Sequence, residues 1–243
     1  METFIFVHDE NIILDYIKVN KFSNIKNLKY VFVGNNDVDK IKNLNNVIIC
    51  RNLTHNLENY PKLTSFTGWY ALWKNNLIKS NSINLFEYDV NLNDDIEDHI
   101  NFNFSLGYNV IGYVPILISE PDFIGQDHWI SHLRSSLEKK YNLNLNNQMY
   151  SLPHDKVITV TSNHSFNTKT FNEYMKWIEP MIDDIKISNF SGHEVERSIS
   201  IFYLLKNINY VFLPNLLHHF QFDSHETQGI GRHKFESQYK DLL

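Results

Sequence analysis

Ile83-Asn84-Leu85-Phe86-Glu87-Tyr88-Asp89-Val90 is the stretch on which the reading of this 243-residue chain turns. A short apolar run suited to a strand meets two acids one residue apart. Similar runs precede it. Phe4-Ile5-Phe6-Val7 ends in His8-Asp9, Tyr30-Val31-Phe32-Val33 ends in Gly34-Asn35-Asn36-Asp37, and Val47-Ile48-Ile49-Cys50 is a third. Four β-branched or aromatic residues stopped by turn formers make strands covered on both faces. Between the strands the spacing turns helical: Ile12, Ile13, Tyr16 and Ile17, then Phe66, Trp69, Tyr70, Trp73 and Leu77 over 66–79. This alternation predicts an α/β fold with a mixed, mostly parallel central sheet flanked by helices.

Further along, helices are expected over 94–106, along Trp129, Leu133, Leu137 and Tyr141, and from Phe171 to Ile185, with a break at Pro180. Another opens at Ser191-Gly192-His193-Glu194. Strands are expected at 109–114, ended by Pro115, at 157–161, followed by a Ser162-Asn163-His164 turn, and at 210–213. The tail from about residue 221 reads as a mobile loop. No repeat or linker divides the chain, so a single domain over 1–243 is expected.

Composition narrows the function. Hydrophobic residues make up 42% and charged residues 21%, a globular balance rather than a disordered or fibrous one. The formal charge of −6 lacks the basic footprint of a general nucleic-acid binder. The single cysteine, Cys50, excludes an internal disulfide and reads as a core residue. No apolar run is long enough for a transmembrane segment, and no basic leader opens the chain. A cytoplasmic location is therefore expected, the host cytoplasm if the source is viral.

The acids carry the chemistry. Strand alternation would set Glu87 and Asp89 on one side, at the carboxyl end of a strand, where open α/β sheets bind ligands. Two such carboxylates suit Mn²⁺ or Mg²⁺, which can clamp a diphosphate. His218, His219 and His225, with Asp223, offer further ligands, whereas the His128/His132 pair lacks the glutamate of a zinc-hydrolase helix. Glu194 and Glu196 are candidate general bases, although Ser191-x-x-Glu194 also spells a capping box. Phosphate-binding glycine loops and a hydrolase nucleophile elbow are absent, so a diphosphate would need a metal with Lys74, Arg51, Arg197, Arg232 or Lys234. Trp69, Tyr70, Trp73 and Trp129 would suit sugar stacking, but their helical spacing favours the core.

The order of Val7-His8, Val33-Gly34-Asn35-Asn36, Thr67-Gly68-Trp69-Tyr70-Ala71-Leu72-Trp73-Lys74-Asn75 and Leu85-Phe86-Glu87-Tyr88-Asp89-Val90 resembles GT-A glycosyltransferases. The resemblance is to small enzymes of large DNA viruses and bacterial capsule clusters. Thr161 to His164, Gly192 to Arg197 and Asp223 to Gly229 extend it. The resemblance implies a Rossmann-like GT-A domain that moves a hexosyl or deoxyhexosyl group from a nucleotide-diphosphate sugar, a UDP-sugar, to a glycan or glycoprotein hydroxyl, with inversion. It implies Mn²⁺ or Mg²⁺ at Glu87 and Asp89, with His225 or His219 as a further ligand. Val7, His8, Gly34, Asn35, Asn36 and Tyr88 would line the nucleotide, Lys74 the phosphates, and Glu194 or Glu196 would be the base. Glu87 stands where the family's motif has Asp, so its metal contact would run through water or ribose hydroxyls. A metal-dependent phosphohydrolase or nucleotidyltransferase, and a non-catalytic carbohydrate-binding protein, are the competing readings.

Overall fold

Phe4 and Phe6 point to one face of strand β1 (Glu2–Val7), while Ile5 and Val7 point to the other. Every residue of that strand is buried, so it must run through the middle of a sheet covered on both sides. It does so in the computed structural model, which describes residues 1–117, 131–142, 157–159 and 161–219. β1 pairs in parallel with β2 (Leu28–Phe32) on one side and with β4 (Ser82–Glu87) on the other. β3 (Val47–Ile49) extends the β2 side. On the other side lie β9 (His164–Asn167), β6 (Val110–Gly112) and β10 (Tyr210–Phe212), giving the order β3-β2-β1-β4-β9-β6-β10. Only β9 runs antiparallel within this sheet. Two small antiparallel pairs complete the described strands: β5 (Val90–Leu92) with β11 (Leu217–His219), and β7 (Pro115–Leu117) with β8 (Val157–Thr159).

Each face carries its own core. Helices α1 (Glu10–Lys18) and α3 (Ile96–Ser105) cover one, where Ile13, Ile96 and Ile100 meet Ile5, Val7 and Phe86. The other is covered by α2 (Phe66–Lys74), α4 (Ser131–Tyr141), α5 (Thr168–Ile178), α6 (Ile182–Ile185) and α7 (Ser191–Leu205). Trp69 is its centre, with the rings of Phe6, Phe66, His164, Phe166, Phe171 and Tyr174 all within 6.5 Å, centroid to centroid. Cys50 is fully buried, and burial pushes its thiol pKa up, as a core cysteine requires.

Several boundaries differ from the sequence reading. α2 stops at Lys74, five residues short, because Asn76 adopts a left-handed φ of 53°. Pro115 starts a strand rather than only ending one. His164, expected in a turn, opens β9; its polar neighbour Ser165 tolerates burial by bonding the Tyr113 hydroxyl at 2.6 Å. The break at Pro180 is present as a 3₁₀ turn over Glu179–Met181 between α5 and α6. The expected tail from 221, with His225, Arg232 and Lys234, lies outside the described residues, as do His128 and Trp129. Among the described residues, no helix is long and apolar enough to cross a membrane.

Gly68 lets α2 lie close on β1. A Cβ there would stand 2.5 Å from Cε1 of Phe6 and 3.1 Å from Cγ1 of Val33. Gly68→Ala is therefore expected to lower stability by about 1–3 kcal/mol despite its better helix propensity, read as a lower melting midpoint in thermal unfolding.

Candidate active site

The chain leaves β1 for β2 and β3 on one side and returns as β4 on the other, so a crevice opens at the carboxyl ends of β1 and β4. The Val7 carbonyl accepts the Val33 amide at 2.9 Å, and the Phe6 carbonyl accepts the Tyr88 amide at 3.1 Å. Asp9 caps α1 directly after β1 by accepting the Asn11 amide at 2.8 Å, which leaves His8 exposed between strand and helix. The His8 ring stands edge-on to Tyr88 at 5.0 Å. The His8 carbonyl accepts Nδ2 of Asn36 at 2.7 Å, and the Asn36 carbonyl accepts Nη1 of Arg51 at 2.8 Å. The fold thus gathers His8, Gly34, Asn35, Asn36 and Tyr88 at one sheet end. Val7 belongs there through its backbone only, since its side chain is in the core.

Glu58, not singled out in the sequence, holds this corner. Its buried carboxylate accepts the Gly34 amide, where Gly34 has a φ of 91° that favours glycine. Burial pushes the Glu58 pKa up, against the Gly34 amide, the Thr67 hydroxyl and the Arg51 charge, which pull it down. Nothing local marks Glu58 in the sequence, because it sits in an irregular loop.

Glu87 closes β4 and is held twice. Its amide donates to Oδ1 of the fully buried Asn163 at 2.8 Å, and its carboxylate accepts the Ser65 hydroxyl at 3.2 Å. Ser65 immediately precedes α2. Glu196, on α7, lies within reach of the Glu87 charge. Burial raises its pKa; His193 opposes that rise, while the charge of Glu87 adds to it. His193 Nδ1 lies 3.6 Å from the Glu196 carboxylate, and Arg197 Nη1 lies 3.9 Å from it.

Asp89 is placed differently from the expectation. The strand alternation on which that expectation rests stops short of Asp89, because β4 ends at Glu87 and Tyr88-Asp89 is a turn. Asp89 is buried and acts on the α1 side, on Tyr16 and Lys21. Burial lowers the Lys21 pKa to about 8, with Asp89 opposing the fall. Lys21 Nζ lies 4.1 Å over the Tyr16 ring, and the Tyr16 hydroxyl donates to the Tyr88 carbonyl at 2.8 Å. The β5–β11 register sets the backbone of His219 opposite Val90, next to Asp89. Among the described residues, no three His, Cys, Asp or Glu side chains converge as a metal group. His225 lies outside the described residues.

Two further candidates are engaged with partners elsewhere in the fold. Lys74 ends α2, about 12 Å along the helix axis from its start near Glu87, and pairs with Glu179. Glu194 is fully buried. It forms no capping box; its carboxylate accepts the Leu133 amide at 2.5 Å in the first turn of α4 and lies 3.4 Å from His132 Nδ1. Two helical positions apart, Glu194 and Glu196 cannot share a face.

The fold is similar to that of a solved structure, the apo form of the bifunctional glycosyltransferase WbbM, with a TM-score of 0.64 and 13% identity. This is the GT-A fold. The superposition takes in 90% of this chain and 45% of WbbM, so the chain spans less than half of that protein's length. Weaker likenesses include the galactosyltransferase LgtC with donor and acceptor sugar analogues (TM-score 0.44, 9% identity, 99% of this chain and 96% of LgtC). Mouse xyloside xylosyltransferase 1 in its apo form is another (TM-score 0.43, 10% identity, 87% of this chain and 84% of that one). No family model and no curated protein sequence matches the chain.

Glu58 supplies a test of this corner. Its raised pKa means that the folded chain binds the proton more tightly than the unfolded chain. Its contribution to stability is therefore fully present below the ordinary carboxyl pKa and declines as pH rises toward the raised value. Glu58→Gln keeps an acceptor for Gly34 and removes the titrating proton. In melting curves between about pH 4 and pH 7, the variant is expected to gain on the wild type as pH rises.

Proposed function

We propose that this chain is a metal-dependent glycosyltransferase that moves a sugar from a UDP-sugar to a hydroxyl of a glycan or glycoprotein acceptor, with inversion. The observation that carries the reading is the GT-A sheet, with Glu87 ending β4 and the His8–Asn36–Tyr88 corner at the same sheet end. His8, Gly34, Asn35, Asn36 and Tyr88 would receive base and ribose. Glu196 would accept the acceptor's hydroxyl proton. The new bond forms between that oxygen and the anomeric carbon, and the bond to the departing diphosphate breaks on the opposite face. A carboxylate with a raised pKa suits this role, because it is a better proton acceptor at neutral pH. Glu194 is left with the architectural task of holding α4.

Mn²⁺ or Mg²⁺ would suit the hard oxygen donors Glu87 and Asp89, which flank Tyr88 where β4 ends, and the β5–β11 register brings the backbone of His219 to the residue after Asp89. Asp89, Glu87 and His219, or His225, would hold the ion. When bound, the ion neutralises charge on the leaving diphosphate.

Two measurements test the reading. Thermal unfolding with UDP, GDP and CMP, with and without Mn²⁺, is expected to show a rise with UDP that requires Mn²⁺ and disappears in Asp89→Asn. Absence of any nucleotide shift in folded protein would sink the transferase. Glu196→Gln is expected to cut transfer by about 10²–10⁴-fold while keeping the nucleotide shift, whereas Glu194→Gln should act mainly on the melting midpoint.

A further inference from the structure

We infer that Ser65 and Asn163 are positioning residues for Glu87, and that a strained turn at Thr64 fixes the Ser65 hydroxyl on its carboxylate before any ligand arrives. The inference rests on the transferase reading, in which Glu87 helps to hold the ion and the nucleoside diphosphate. The need for such residues follows from the sheet. β1 pairs with β4 as far as Glu87, opposite Phe6. On the other side the β4–β9 register ends at Leu85, opposite His164, two residues earlier. Asn163 makes up the difference: its Oδ1 takes the Glu87 amide at 2.8 Å, where a ladder carbonyl would otherwise stand. Asn163 is itself fixed, because its amide donates to Oγ1 of Thr161 at 3.3 Å and the next residue, His164, packs its ring edge-on to Trp69 at 6.1 Å. Ser65 then aims the side chain, with its hydroxyl 3.2 Å from Oε1 of Glu87.

Both supports lower stability, and they do so independently. Asn163 is fully buried, yet its Nδ2 has no hydrogen-bond partner among the described residues. A half-satisfied amide in the interior is a poor choice for packing alone. On the other side, Thr64 has φ 51° and ψ −134°, followed by Ser65 at φ −62° and ψ −20°. These angles are close to the central pair of a type II′ turn, whose first position favours glycine, and a β-branched residue is strained there. Such strain persists only where the surroundings impose it. Here the Thr64 carbonyl accepts the Thr67 amide at 3.2 Å and the Thr67 hydroxyl at 2.9 Å. α7 presses from another side, since a Cβ on Gly192 would stand 2.8 Å from the Lys62 carbonyl oxygen and 3.3 Å from Cγ2 of Thr64. Stability is thus given up at the two supports of Glu87, an arrangement expected where a carboxylate must be preset for a ligand.

Isothermal titration calorimetry of the full chain with UDP and Mn²⁺, alongside thermal unfolding of the free chain, tests the inference. Ser65→Ala and Asn163→Ala are expected to weaken binding by about 10-fold or more, as does loss of a group that orients a ligand-holding side chain. Thr64→Gly is expected to raise the melting midpoint of the free chain, because relief of strain outweighs the added chain entropy, and yet to weaken binding by about threefold. A merely structural role would move affinity and stability together, or leave affinity alone. Wild-type affinity in folded Ser65→Ala or Asn163→Ala therefore overturns the inference, as does a Thr64→Gly chain that keeps or gains affinity. Thr64→Gly keeps the test decisive should Asn163→Ala fail to fold. A wild type that binds no UDP with Mn²⁺ overturns the transferase reading and the inference with it, so the two failures are distinguishable.

Discussion

The carboxyl end of β1 is hydrogen-bonded on both sides, to Val33 through Val7 and to Tyr88 through Phe6. That double commitment makes β1 the point from which the sheet grows in two directions. It also forces the loops after β1 and β2 and the turn after β4 to emerge together. Everything proposed for donor binding sits on those segments. Their positions depend on backbone bonds within the sheet, with the side chains of Asp9, Asn36 and Glu58 holding the loops beyond. A site built this way is as rigid as the strands that carry it.

Around that point the chain sets carboxyl groups with different surroundings. Glu58 is buried against a backbone amide, Glu87 is shared between Ser65 and the crevice, and Glu196 feels Glu87 across it. The charge of Asp89 acts on Lys21 and Tyr16. Burial raises the pKa of Glu58 and of Glu196, but their partners differ: a backbone amide for the first, His193 and Arg197 for the second.

Much of this was legible in the residues, and the failures have local causes. Apolar runs located β1, β2, β3 and β4 because strands covered on both faces need apolar residues at every position. Pro180 located a helix break because its ring fits no helix interior. Glu87 was placed at a strand end, but the next step assumed that the strand continued through Asp89. Alternation fails once the backbone turns. β9 was missed because His164 and Ser165 are polar, and only their distant neighbours Trp69 and Tyr113 make their burial tolerable. Lys74 was picked out by a motif, but its partner Glu179 lies on a distant segment that the motif does not reveal. Glu194 and Glu196 differ by two positions, and the partner that sets Glu194 apart, the Leu133 amide, lies 61 residues away, where no local pattern points.

β9 has a consequence for how the molecule is made. It is the antiparallel strand lying between β4 and β6, and it follows both in the chain. Until residues 164–167 leave the ribosome, β4 has an open edge, and β6 has no β9 against which to align. The order of synthesis therefore separates early docking of β1 to β4 from late joining of the sheet's two halves, and a nascent chain must shield an apolar edge in between.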